Sequence, residues 1–169
     1  MKIIEAMKQV KQNKEKITDL QNKISQYCAN LSFETPLYGS ETKTKVNEWL
    51  QSCADLTQDN IKLLCSISKT NLNTDVTIEL GGKQVKKTIA EWVWRRREYA
   101  AIDLATYSKL TDRGLKEGSA QTSPGVMTEI KLVRHYDPVI RDEKLSMYRS
   151  EPHQIDSALE VVNAVTDLV

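Results

Sequence analysis

The chain has little net charge to offer a polyanion. Its 24 basic residues face 23 acidic ones, leaving +1 over 169 residues. A protein that held nucleic acid by neutralising phosphates would carry a larger basic excess, so this balance argues against that role. Cysteine is sparse too. Cys28, Cys53 and Cys65 are odd in number and lack CxxC spacing, which speaks against a zinc site and leaves them as expected small buried hydrophobes in a reducing compartment. No apolar run reaches the length of a membrane span, and the N-terminus alternates Lys with apolar residues instead of showing a signal-peptide core. The expected location is therefore cytoplasmic. Walker, metalloprotease and nucleophile-elbow motifs are missing. The only histidines, His135 and His153, have no matching Cys or Glu pattern, although Asp137 follows the first closely. No catalytic residue, metal or cofactor is expected.

What the chain does have is a seven-residue rhythm. Ile3, Val10, Ile17, Ile24 and Leu31 recur at that interval, with Ala6, Asn13, Leu20 and Tyr27 three positions after the first four. This spacing keeps one seam of a helix facing a partner, and no Pro or Gly interrupts it. At 1.5 Å per residue the helix would be about 45 Å long, so it must lie along something extended. The mixed second seam position suits an intramolecular bundle better than a free-standing parallel coil. Pro36 and Gly39 then turn the chain, and Ser40 offers a cap. Val46, Trp49, Leu50, Cys53, Leu56, Leu63, Leu64 and Ile67 recur at threes and fours, predicting a second long helix, antiparallel to the first because the connection is short. Asn13 and Asn60 fall in the two seams as register-setting polar groups.

Val76, Ile78 and Leu80 alternate with polar residues and are followed by Gly81-Gly82 and a second run, Lys83–Lys87. That is a hairpin signal, because a tight primed turn needs positive φ. Thr88-Ile89-Ala90-Glu91 has the form of a capping box and opens a third helix to about Leu110. Within it lies the densest aromatic and basic stretch, containing Trp92, Trp94, Arg95, Arg96 and Arg97. Arginines and rings together suggest contacts to anions or nucleic acid. Consecutive helix residues point in different directions, however, so one arginine must fall near the stripe of Ile89, Val93, Ala100, Leu104 and Tyr107 and pair with an acid from another helix. Glu98 and Asp103 are expected arginine partners.

Residues 111–125 read as a flexible loop, and 126–136 as a strand that extends the hairpin to three. Asp137-Pro138 starts a short helix to about Ser150, and Pro152 kinks the chain or begins another, with Ile155, Leu159, Val162 and Val165 on its apolar face. Residues 1–31 carry six Lys against three acids, whereas 138–169 carry six acids against three bases. The two ends should attract each other. The expected fold is mainly α: a long antiparallel helical hairpin or bundle with a small β-hairpin at about 75–88, in one elongated domain spanning 1–169.

Thr70-Asn71 before the hairpin, the Gly81-Gly82 turn, Arg96-Arg97-Glu98 and the ending Ile155-Asp156, Leu159-Glu160, Asn163 and Asp167-Leu168 together resemble the septicolysin-like family of small bacterial and phage-encoded proteins. The resemblance implies long helices with a β-hairpin and carries no catalytic site. The leading functional expectation is a non-enzymatic structural or assembly protein, homo-oligomeric or packed among other structural proteins, of the kind found as a capsid-associated or neck component of a phage virion. Its expected contacts are Gly81, Gly82, Trp92, Trp94 and Arg95–Arg97, or the 111–125 loop. The alternatives are a membrane-active, cytolysin-like protein and a nucleic-acid-binding module using Arg95–Arg97.

Overall fold

A computed structural model gives the structure; the described residues are Met1–Val169, the side chain of Thr122 excepted. The fold is mainly α with two small antiparallel hairpins. It comprises α1 (Ile3–Tyr27), a 3-10 turn (Gly39–Glu41), α2 (Thr42–Asn73), β1 (Asp75–Leu80), β2 (Lys83–Thr88), α3 (Ile89–Trp94), a π turn (Arg95–Tyr99), α4 (Ala100–Tyr107), β3 (Gly118–Ser123), β4 (Val126–Ile130) and α5 (Pro138–Val165). These elements form two compact units where the sequence reading has one domain: Met1–Thr74 with Leu159–Val169, and Asp75–Ala158.

The first unit is a helical hairpin built on the heptad seam. Along α1 the seam residues removed from solvent are Ile3, Ala6, Val10, Asn13, Ile17, Leu20, Ile24 and Tyr27, with Ile4 and Gln9 half-buried beside them. Along α2 they include Val46, Trp49, Cys53, Leu56, Asn60, Leu63, Ile67 and Thr70, spaced alternately three and four apart. A strict two-per-heptad stripe of this kind is the narrow seam of a coiled coil. The pairing fixes the antiparallel sense. Tyr27 meets Tyr38 edge-on and packs tilted against Trp49 beside the connection, while midway Asn13 Nδ2 donates to Asn60 Oδ1 at 2.9 Å. Both asparagines are buried, as the register reading required. The charge asymmetry between the ends is also realised: Lys2 Nζ donates to Asp167 Oδ2 at 2.7 Å and to the Val165 carbonyl at 2.8 Å. Leu168 N donates to the Met1 carbonyl, and Val169 N to Thr70 Oγ1.

In the second unit β1 and β2 pair in register from Asp75↔Thr88 to Leu80↔Lys83, with Val76, Ile78 and Leu80 buried. Gly81 and Gly82 take φ +56° and +75°, the left-handed pair that a two-residue primed turn demands. Thr88 caps α3 as read: its Oγ1 accepts from Glu91 N, and Glu91 Oε2 accepts from Thr88 N. These bonds hold the Glu91 carboxyl below its ordinary range.

Several expectations change. Helix α1 ends at Tyr27, before Leu31, and Cys28 and Cys65 are exposed while Cys53 is half-buried, because the seam is too narrow to cover them. Residues 118–123 are strand, pairing with 126–130 in a separate hairpin, so the sheet of the first hairpin stays two-stranded. Pro124-Gly125 makes the connection, with Gly125 at φ +78°. Helix α5 runs continuously through Pro152, although a proline inside a helix forfeits a backbone hydrogen bond.

The buried asparagine pair yields a test. Asn13→Ala leaves the Asn60 amide without its donor and should cost about 1–3 kcal/mol in urea unfolding. Replacing both by Leu should recover most of that loss.

Candidate functional site

The π turn decides where the arginine run points. An extra residue in one helical turn shifts the side chains that follow, and such turns recur at functional sites. Arg95 opens this turn three residues after the buried Trp92, which places it on the inward face of α3. Its Nε and Nη2 donate to the two carboxylate oxygens of Glu151 at 2.8 and 2.7 Å, and Nη1 donates to Asp103 Oδ2 at 2.6 Å. Glu151 lies on α5 and is 1% exposed. The Tyr148 ring lies 5.8 Å from the guanidinium carbon and packs against Tyr107. Burial pushes the Tyr148 phenol up, and the hydrogen bonds to Glu151 hold Arg95 firmly protonated. This is the core arginine paired with an acid from another helix that the stripe implied.

Arg96 is also committed, making a two-point contact with Asp156 at 2.8 and 3.1 Å. The contact holds the Asp156 carboxyl below its ordinary range. Arg97 lies over the Trp94 ring at 6.0 Å and makes no ion pair. Asp103 serves as an arginine partner and Glu98 forms no ion pair. Trp92 is corrected from contact residue to core: it is fully buried, and its indole N–H donates to the Val76 carbonyl at 2.9 Å. Gly81 has a structural role as well, since a Cβ there would lie 3.1 Å from Met147 Sδ.

What remains accessible is an open cleft of about 370 Å³ lined by Lys87, Glu91, Trp94, Arg95 and Tyr99. Trp94 and Tyr99 are half exposed and give it two ring faces, with Lys87 and Glu91 carrying charge at its edge. The three donor positions that Arg95 directs at carboxylates are taken, which leaves the cleft suited to apolar or aromatic contact and poorly suited to capturing an anion. Tyr99, Lys87 and Glu151 were not singled out in the sequence. An i, i+5 Trp94–Tyr99 spacing meets on one face only across a π turn.

His135 and His153 are exposed. Asp137 is occupied as the cap of α5, its Oδ1 accepting from Val139 N at 2.8 Å. Among the described residues no group of three or more His, Cys, Asp or Glu is arranged to hold a metal ion. A second ion cluster, Arg134 on Asp112 with Tyr136 also donating to Asp112 and Arg141 donating to the Leu110 carbonyl, pins the segments flanking the β3–β4 hairpin. The bonds from Arg134 hold the Asp112 carboxyl below its ordinary range.

No family model matches the chain, and no curated protein matches it. A solved structure described as a functionally unknown conserved protein from Corynebacterium diphtheriae aligns over 100% of this chain and 99% of its own, with a TM-score of 0.59 and 21% identity. At that identity the likeness shows a shared fold.

Two measurements check the electrostatics. Glu151→Ala removes the main partner of a largely buried guanidinium and should cost about 2–3 kcal/mol, whereas Arg97→Ala should stay within about 0.5 kcal/mol. Asp112 has a depressed folded pKa. Its contribution is therefore present above the ordinary carboxylate value of about 4 and is lost as pH falls through the lower folded value. Asp112→Asn should lower stability at neutral pH and flatten the acid limb of a melting-temperature profile.

Proposed function

We propose that the chain is a non-enzymatic assembly protein that associates with copies of itself or with neighbouring structural proteins in a repeated particle, of which a phage virion is one kind. The observation that carries this reading is the β3–β4 hairpin. Every described residue of β4 is exposed, including Val126, Met127 and Ile130. A two-stranded hairpin is marginal in water by itself, so the exposed apolar side chains of β4 call for a neighbour. The exposed Trp94 and Tyr99 are a second surface of that character, since aromatic rings are enriched where proteins meet.

One observation favours a different reading. The connection between α1 and α2 exposes Leu31, Phe33 and Leu37, with Phe33 81% exposed, and backs them with the Tyr27, Tyr38 and Trp49 rings. Apolar side chains at a tip with amphipathic rings behind them suit the interfacial contact of a membrane-active protein. No helix is long and apolar enough to cross a membrane.

Light scattering of the full chain over a rising concentration series should give masses above one chain, with amide exchange at 118–130 slowing as assembly proceeds. A one-chain mass throughout would overturn the assembly reading. Flotation with anionic vesicles that is lost on Phe33→Ser would establish the membrane reading in its place.

A further inference from the structure

The connection between α1 and α2 carries a closed turn. Glu34 N donates to the Leu31 carbonyl at 2.9 Å, and Leu31 N donates back to Glu34 Oε2 at 2.7 Å, which holds Ser32 and Phe33 at the apex. Phe33 is the chain's one phenylalanine and the most exposed of the large apolar residues described. A ring held out on a hydrogen-bonded turn has little freedom left to lose on docking. Around it, residues 28–42 contain Glu34 and Glu41 and no Lys or Arg. An acidic tip of this kind is repelled by an anionic lipid surface and drawn to a basic one.

The cleft beside α3 is its counterpart. At about 370 Å³ it lies at the small end of ligand cavities, with room for one large side chain and not for a helix or a hairpin. Its walls include the Trp94 and Tyr99 rings, and a phenyl ring set against such rings gains more than its buried area alone supplies. The free charge at the rim is basic. Glu91 is taken up by Thr88 N and Oγ1, and Lys86 is paired with Asp75, whereas Lys87 on the cleft is without an ion pair among the described residues. A free anion finds little else to hold it there, but a phenyl ring with a carboxylate beside it matches both the walls and the rim.

Resting on the assembly reading, we propose that the Phe33 turn of one copy docks in the Trp94–Tyr99 cleft of another, with Phe33 against the rings and Glu34 at Lys87. Ring meets ring and acid meets base, and every copy carries both halves of the contact. The turn belongs to the first unit and the cleft to the second, so the two patches are different surfaces and the interface is heterologous. Such contacts join copies head to tail and either close into a ring or run on as a filament.

Sedimentation equilibrium of the full chain tests the proposal, with far-UV circular dichroism as the check on folding. Phe33→Ser removes the docking ring and Trp94→Ala a wall of the cleft, and each alone should weaken self-association by on the order of 100-fold. An equimolar mixture of these two variants should recover a complex of two chains and no larger, because only one intact turn and one intact cleft can meet. Glu34→Lys and Lys87→Glu should each weaken association by about tenfold, and both together in one chain should restore it. These surface positions keep the test decisive should Trp94→Ala fail to fold. Association that persists undiminished in Phe33→Ser or in Trp94→Ala overturns the proposal and leaves the assembly reading standing through another surface. Loss in both without a two-chain complex on mixing overturns it too, as does a charge swap that restores nothing. A wild-type chain that stays single at all concentrations overturns both, and flotation with anionic vesicles that Phe33→Ser abolishes then assigns the turn to a membrane.

Discussion

One hydrogen bond between two amides aligns the first unit. The seam between α1 and α2 is only two residues wide per heptad, and aliphatic side chains in such a seam tolerate sliding by a whole heptad at modest cost. The Asn13–Asn60 bond removes that freedom, because a slip would leave the buried Asn13 Nδ2 and Asn60 Oδ1 without each other. With the alignment fixed, Tyr27 falls against Trp49 next to the turn and Thr70 falls where Val169 N can reach it. The rest of the unit follows from where that one pair sits.

The second unit solves a similar problem with charge. Its segments α3 and α4 are short and separated by a turn of irregular pitch, so little propensity holds those two in place. Arg95 supplies directionality instead, reaching Glu151 on α5 and Asp103 on α4 with a planar fork that accepts few alternative geometries. Buried ion pairs add little net stability compared with packed apolar groups, but they penalise every arrangement that leaves one partner unpaired. Each unit thus spends polar burial on specificity, and that restricts how much of its apolar residue content is hidden.

Features with a local signature were legible in the sequence. The heptads, the Asn pair, the Gly-Gly turn and the Thr88–Glu91 box each follow from a handful of adjacent residues obeying one period or one turn geometry, and each stands where it was read, except that the first heptad run stops at Tyr27, short of Leu31. The core arginine was legible as a role, since a charge beside an apolar stripe needs a partner, although that partner on α5 lies 56 residues away. The π turn was not legible, because no residue pattern distinguishes an i→i+5 hydrogen-bonded turn from an i→i+4 one before the tertiary contacts are known. The β3–β4 hairpin hid behind Gly, Ser, Ala, Gln and Thr, residues of weak or mixed strand preference, and only Pro124-Gly125 marked its turn. In α5 the tertiary setting prevailed over Pro152, whose local cost the long helix absorbs.

The candidate surfaces were harder to read than the fold, for a related reason. A residue's type says whether it would gain from burial, whereas the alignment of the helices says whether it achieves it. Leu50 and Leu64 belong to the same three-and-four pattern as Leu56 and Leu63, and the sequence offers no way to divide them between seam and surface until Asn13 meets Asn60. Once that bond sets the rotation of α2, Leu56 and Leu63 turn toward α1 while Leu50 and Leu64 face outward. The same reasoning applies to the arginine run: Arg95 is taken up by Glu151 and Asp103, while Trp94 and Tyr99 on either side of it stay outward. Chemistry available to a partner is therefore a consequence of how each unit satisfies its buried polar groups first.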